Sequence, residues 1–452
     1  MESINPESNQ EPPSLPKSLH AVLKDLHHRP YPHVPNPPSC KKRASVALVL
    51  RVRPTYAHWP DSPSVPAEQD PAVSTEQRLD TFFSRPWVQH GTPEVLFIKR
   101  ASRVGDRWTG HVALPGGKRD PEDEDDRAAA IREASEEVGL DLTTNDYIYI
   151  GNLPERVVTT SWGSVPLMVL CPFVFLSTRS DSPNLKLQPT EVASSHWVSL
   201  EALLSPSLRT VEYVDMSQRF ANRGGLIARL ICRSLMGWME FAAIRLQPNE
   251  TLKCNTTTKP DTIANQSSPS IFQRWKTWFS TDRAASVDST RPLLLWGLTL
   301  GILADFLDML PPHTAVRLWK YPTFTSPDLR FLVSILTYRL RKRNMLRVRP
   351  GARTVVSNTA VDSKTAALPV LPETNTKHDH NDVGIGGLGV GRYYGPSDKA
   401  SDGSTYAVGI MLRGYYDKLR VAVYVFLAWR IALGSMAAVY AWKFLRDHRI
   451  RR

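Results

Sequence analysis

The sequence predicts an α/β fold in which helices cover a mixed sheet, and three observations carry that expectation. Runs of β-branched and aliphatic residues recur at 44–52 (ASVALVLRV), 94–102 (EVLFIKRAS), 147–153 (YIYIGNL) and 164–176 (SVPLMVLCPFVFL). One strongly patterned helix, DRAAAIREASEEV, lies between the second and third of these runs. EVASSHWVSLEALL, 191–204, then passes from an extended segment into a short helix, and strands bracketing a helix point to one α/β domain.

The N-terminal residues 1–40 are polar and Pro-rich, with one helical patch around LHAVLKDL, and are expected to be a disordered arm. A domain is expected over 41–320, with its core at 44–204, an insertion at about 205–290 and a closing helix at 293–310. A basic amphipathic helix at 328–349, a flexible linker at 350–410 and an apolar C-terminal helix within 411–452 complete the chain. The formal net charge is +12, which suits phosphate-rich ligands or an anionic membrane surface. Nucleic acid is not expected as a partner, because no RNA-binding module is visible and the cations gather in the arm, in 328–349 and in the tail. The four cysteines form no CxxC pair, which gives neither zinc-ligand spacing nor a disulfide framework, and a reducing compartment fits. The first residues carry acids where a signal peptide needs cations, so no cleavable targeting segment is expected.

Acids crowd the stretch GGKRDPEDEDDRAAAIREASEEVGL, 116–140. In a helix, Glu133, Glu136 and Glu137 fall at i, i+3 and i+4, on one face within about a turn. Like charges so placed repel, whereas a hard divalent cation that needs several oxygen ligands rewards them. The double glycine just upstream lets the backbone turn sharply and approach a ligand.

The spacing resembles the signature box of Nudix hydrolases, Gx5Ex7REUxEExGU with U an aliphatic residue. Arg132, Glu133, Glu136, Glu137, Gly139 and Leu140 match its second half, and Ala134 stands as a small U. The first half carries one extra residue. Counting five forward from Gly117 reaches Asp123, and counting seven back from Arg132 reaches Glu124. GGKRDPED and TGHVALPGG resemble the GGxxDxxD and xGxVxFPGG segments of the coenzyme A diphosphatase branch, and LLLWGLTLGILADFLDML, 293–310, is similar to that branch's WGxT-containing final helix.

The resemblance implies an α/β/α sandwich and hydrolysis of a nucleoside diphosphate linked to another moiety, most closely coenzyme A or its derivatives. ADP-ribose, a dinucleotide or an oxidised dNTP is the alternative substrate, and a non-catalytic nucleotide-binding regulator the alternative role. The cofactor it implies is Mg2+ or Mn2+, held by Glu133, Glu136 and Glu137. Catalytic candidates are Glu133, Glu136 and, from a distal loop, Glu191. Arg132, Glu124, Asp123, Gly117 and Gly139 support the box, with Glu124 expected to dock on Arg132 because it has the family's spacing. Arg100, Lys118 and His111 are candidate substrate contacts, and Lys99 and Arg103 are neighbouring cations. Trp108, Trp162 and Trp197 can either stack a base or pack the core.

The tail VAVYVFLAWRIALGSMAAVYAW, 421–442, has the length of a bilayer span. Arg430 interrupts it at a cost of roughly 2.5–3.5 kcal/mol on insertion scales. Two expectations stand: a membrane anchor with the catalytic domain facing the cytosol, on a mitochondrial or peroxisomal surface, or a buried or interfacial helix.

Overall fold

Ala47, Leu48, Val49, Leu50 and Val52 are all fully buried, as are Val95, Leu96, Phe97 and Ile98. Successive strand side chains point to opposite faces, so a run buried without alternation belongs to a sheet covered on both sides. The computed structural model describes residues 14–60, 73–102, 109–159, 166–216, 225–254, 292–347, 407–412 and 414–450. They form two compact units, the first comprising the chain through Arg156, Met168–Thr210 and Ala243–Leu318, the second Val157–Leu167, Val211–Ala242 and the chain from Trp319 onward.

In chain order the elements begin with α1 (Leu15–His28), β1 (Arg43–Arg53), α2 (Thr75–Ser84), α3 (Pro86–Gln89), β2 (Thr92–Arg100), β3 (Val112–Ala113), β4 (Gly116–Lys118) and α4 (Asp126–Val138). There follow β5 (Tyr147–Asn152), β6 (Arg156–Thr159), β7 (Pro166–Ser177), β8 (Val192–Ser199), α5 (Leu200–Leu204), β9 (Arg209–Val214) and α6 (Gly225–Met236). The last are β10 (Met239–Arg245), β11 (Pro248–Lys253), β12 (Leu294–Trp296), α7 (Gly297–Asp308), β13 (Thr323–Phe324), α8 (Pro327–Arg347), α9 (Ala407–Leu412) and α10 (Tyr415–Ile450).

The main sheet runs in the order β11-β8-β2-β1-β7-β5, with β3 on β2 and β4 on β1. β1 pairs parallel to β7 and antiparallel to β2, so the sheet is mixed. The α/β expectation holds, and α4 packs against β1 and β4 while α1 and α2 pack against β5. Ala129, Ala130 and Ala134, all fully buried, are small enough to let the α4 backbone approach the sheet closely. Asp125 caps its start by accepting from Ala128 N at 2.7 Å, and Gly139 ends it at φ 73°.

The N-terminal segment corrects the disordered-arm expectation from residue 14 onward. Leu19, Leu23 and Leu26 recur at helical spacing and are fully buried, and Pro16 sits in the first turn, where a missing N–H costs nothing. Beyond α1, Tyr31 and Asn152 exchange two hydrogen bonds, at 3.0 and 2.8 Å. Proline density signalled disorder, but these tertiary bonds satisfy the irregular backbone. Most of the expected linker 350–410 lies outside the described residues, as do Arg103, Trp108, Trp162 and much of 205–290.

α7 is buried along almost its whole length, and Asp305 receives a 2.8 Å bond from Arg156, with both side chains nearly inaccessible. In the second unit α10 runs beside α8. Tyr415, Tyr416, Leu419, Ala422, Val423 and Phe426 are buried there, and Arg430 pairs with Asp328 at 2.6 and 2.8 Å. Segment 421–442 is therefore not a uniform apolar span: its first half is packed, and Ile431, Met436, Tyr440 and Trp442 beyond Arg430 are exposed.

Asp308 sits buried beside Asp305 at the end of α7, and burial first, then the Asp305 charge, pushes its pKa up to about 6. A carboxyl raised in the folded state stabilises most below its ordinary value of 3.8 and loses that contribution as pH rises through about 6. Asp308→Asn, which keeps the acceptor for Val316 N, should raise the melting midpoint by about 5 °C or more near neutral pH and leave it unchanged at about pH 4. Thermal melts of both proteins across that range check it; equal midpoints at neutral pH would contradict the buried charge.

Candidate active site

Gly116 has φ 152° and its N–H donates to Glu137 Oε2 at 2.8 Å. A Cβ there would collide with the β1 backbone at Ser45 and Val46, so only glycine lets the β4 turn come this close. At Gly117 a Cβ would overlap the Glu133 carboxylate itself. The double glycine thus lets the turn lie close on β1, with room for Glu133 at Gly117 and a backbone N–H for Glu137 at Gly116.

Glu191 reaches the same place from the other side of the chain. Lys186 N donates to Val138 O at 2.9 Å and Gln188 N to Glu137 O at 3.0 Å, which hangs the loop before β8 on the C-terminal carbonyls of α4. Ala101 N donates to Glu191 O at 2.7 Å and ties the other end of that loop to β2. Gly139 is needed twice, for its positive φ and because a Cβ would press on Lys186. As a result, Glu133, Glu137 and Glu191 each place a carboxylate oxygen within 4.8 Å of the others. Burial, foremost, pushes the Glu137 pKa up to about 7 and raises that of Glu133. Three converging carboxylates, two of them poorly hydrated, form a hard-oxygen donor set that fits Mg2+ or Mn2+.

Arg132 organises the neighbouring acids. Its Nε and Nη2 reach Asp123 at 3.0 and 3.1 Å in a bidentate pair, and its Nη1 lies 3.0 Å from Glu136 and 3.1 Å from Glu133. Its Nη2 also donates to the Lys118 carbonyl at 3.0 Å. This corrects the loop register expected from spacing: Asp123, buried, docks on Arg132, whereas exposed Glu124 offers its backbone carbonyl to Arg119 at 2.8 Å. The extra residue is absorbed by a turn in which Asp120 N donates to Asp123 Oδ2 at 2.8 Å and tucks that side chain inward. The guanidinium in turn holds the Asp123 pKa below the usual carboxylate range.

Glu136, expected among the metal ligands, is exposed and faces Arg132, outside the cluster that Glu133, Glu137 and Glu191 form. Arg100 Nη1 lies 3.8 Å from Glu137 Oε1, at the rim of the cluster. Arg100 N donates to the His111 carbonyl at 3.0 Å, and the His111 ring lies 4.9 Å from the Trp296 ring. The Lys118 side chain is exposed. Trp197 is buried beneath the Arg51 guanidinium at 4.1 Å and packs the core.

Sequence reasoning missed Arg43. Its guanidinium bonds Asp126 and Glu155, both at 2.7 Å, and the carbonyl of Val34 at 2.9 Å, joining the N-terminal segment to α4. His33, Asp126 and Glu155 also bring ligand atoms together, but this buried cation already satisfies the two acids and would repel a metal. Arg43 is the last of three consecutive cations at the start of an apolar strand, and nothing in that run marks it as the one that turns inward.

The register is tested by two substitutions. Asp123→Ala should lower stability by about 1–2 kcal/mol, because it removes the bidentate partner that docks the loop on Arg132. Glu124→Ala should stay within about 0.5 kcal/mol of the parent protein. Urea unfolding of both variants is the measurement, and a larger loss for Glu124 would restore the spacing-based register.

A family model described as the NUDIX domain matches residues 87–219. The chain is 35% identical over 268 residues to an uncharacterized protein of Schizosaccharomyces pombe, covering 57% of this chain and 72% of that one. It is 33% identical over 134 residues to a peroxisomal coenzyme A diphosphatase of Mus musculus, covering 28% of this chain and 48% of the relative. Over 52 residues it is 46% identical to a mitochondrial coenzyme A diphosphatase of the same species, covering 12% of this chain and 25% of the relative. The chain thus spans about half or less of the length of those two enzymes. With the box glutamates seated under the double glycine of an α/β sandwich and the matched domain enclosing them, the chain belongs to the Nudix hydrolase family.

Proposed function

We propose that the chain hydrolyses the diphosphate bond of coenzyme A or a coenzyme A derivative in a reaction that needs a divalent cation. The observation that carries the reading is the convergence of Glu133, Glu137 and Glu191 beside the Gly116–Gly117 turn. Mg2+ or Mn2+ held by these carboxylates would neutralise phosphate oxygens and lower the pKa of the attacking water. Glu191, on its own loop, is the group that accepts the proton from that water. Arg100, at the rim, pairs with a phosphate oxygen, and the His111 and Trp296 rings offer an aromatic surface to a base. Arg132, paired with Glu136 on the same helix, holds the loop in place through Asp123. Two relatives named as coenzyme A diphosphatases support that substrate over other nucleoside diphosphates.

We also propose that α10 attaches the enzyme to a membrane with its catalytic unit on the cytosolic side. Within the helix Tyr415–His448 an 18-residue window reaches a mean hydropathy of 1.7, which suits contact with a membrane, and the same relatives are named as mitochondrial and peroxisomal.

Glu137→Gln removes ligand charge at constant shape and should lower kcat by about a hundredfold or more. It should also weaken Mn2+ binding, read by electron paramagnetic resonance in the absence of substrate. A panel of coenzyme A, its esters, ADP-ribose, dinucleotides and oxidised dNTPs should give the highest kcat/KM for coenzyme A or an ester. A higher value for any other class would displace coenzyme A, and undiminished Mn2+ binding by Glu137→Gln would remove Glu137 from the site.

A further inference from the structure

α8 shows water an apolar stripe that the second unit leaves uncovered. Phe331, Ile335, Tyr338 and Leu346 are 65%, 56%, 60% and 78% exposed, and their spacing puts them on one helical face. The opposite face, with Leu329, Val333, Thr337 and Asn344, is buried. α10 packs against α8, and Arg430 of α10 closes on Asp328 at the start of α8. Exposed Arg339 and Arg343 border the stripe, and Lys342 lies within it, where its stem can lie along apolar surface while its ammonium reaches outward.

α10 carries a second exposed face. Val421, Val425 and Trp429 follow one another on the side turned away from its packed residues, and Met436 and Val439 prolong it beyond Arg430. α8 holds six basic residues against one acid, and α10 six against two. Apolar stripes bordered by cations, with Trp and Tyr among them, match the chemistry of an anionic bilayer surface. They suit a second copy of the chain poorly, because two such positive surfaces repel.

The same geometry argues against a crossing. Only 431–442 is both apolar and clear of α8, and as a helix that is about 18 Å, against the roughly 30 Å of a hydrocarbon core. A full span would have to strip Phe426, Val423 and Ala422 from their packing and part Arg430 from Asp328. We infer that α8 and α10 together form a surface-lying membrane element, with their exposed stripes in the interface of an anionic leaflet and α10 not crossing it. This rests on the membrane attachment proposed above.

The test is flotation of the full-length protein with phosphatidylcholine vesicles, with and without phosphatidylserine. The expected result is partition with the anionic vesicles that weakens as salt rises and is released by alkaline carbonate. Phe331→Glu with Ile335→Glu, both on the exposed face, should reduce partition by about tenfold or more, with hydrolysis in solution unchanged. Absence of partition with either vesicle would defeat membrane attachment itself, and with it this inference. Partition that resists carbonate, with the C-terminus protected from protease, would show a span and overturn the surface arrangement alone. So would the double variant partitioning like the parent, or a dimer that the double variant abolishes while vesicle binding persists.

Discussion

The acids of 120–137 are shared among arginines, and the candidate site depends on that partition. Arg43 and Arg119 both bond Asp126, and Arg132 takes Asp123 in a bidentate pair and Glu136 at 3.0 Å. Charge-assisted bonds of this kind are about twice as strong as neutral ones, and each carboxylate so held gains little from a further cation. Glu137 is treated differently: burial raises its pKa to about 7, although it accepts a backbone N–H from Gly116 that works the other way. A short helix can therefore carry many acids without flying apart, because the arginines neutralise those on its flank. Glu133 is shared, lying 3.1 Å from Arg132 and inside the group of carboxylates that Glu137 and the loop of Glu191 complete.

That group is held by backbone, not by side-chain contacts. Gly139 ends α4 at a positive φ, and the freed carbonyls of Glu137 and Val138 accept from Gln188 and Lys186. The helix C-terminus, which needs hydrogen-bond partners in any case, is thereby the fixture that delivers a distal carboxylate. The same economy appears at Gly116, where one N–H both ends the turn and steadies the Glu137 carboxylate.

Most of the fold was legible because burial on both faces writes itself as unbroken apolar runs, and β1, β2 and α4 fall where those runs and the alanine-rich helix predict them. The box was legible through its spacing. What spacing cannot convey is the path of a loop, and so Glu124 was favoured by counting while a turn at Asp120 delivers Asp123. Helical periodicity put Glu136 beside Glu133 and Glu137 correctly, yet only the position of the sheet decides which of the three turns inward. Arg43 and the docked α1 were hidden for a related reason. Their partners, Glu155, Asp126 and Asn152, come from sequence-distant segments, and no local pattern announces a contact of that range.

The C-terminal helix shows how a partner changes the meaning of a residue. Read in sequence, Arg430 is a cost set against an apolar segment, to be outweighed by enough leucines and valines. In the folded chain it is the end of a docking interface: the carboxylate of Asp328 receives it, and the residues before it pack while those after it do not. An ion pair only partly shielded from water adds little stability by itself, on the order of 1 kcal/mol or less. Its effect is positional, since it fixes where α10 leaves α8 and hence how much apolar helix is free. Hydropathy summed along 421–442 is blind to that boundary, because it counts Val423 and Val425 alike although one is buried and the other exposed. The length available to a membrane is set by tertiary packing, and here that packing leaves too little to cross one.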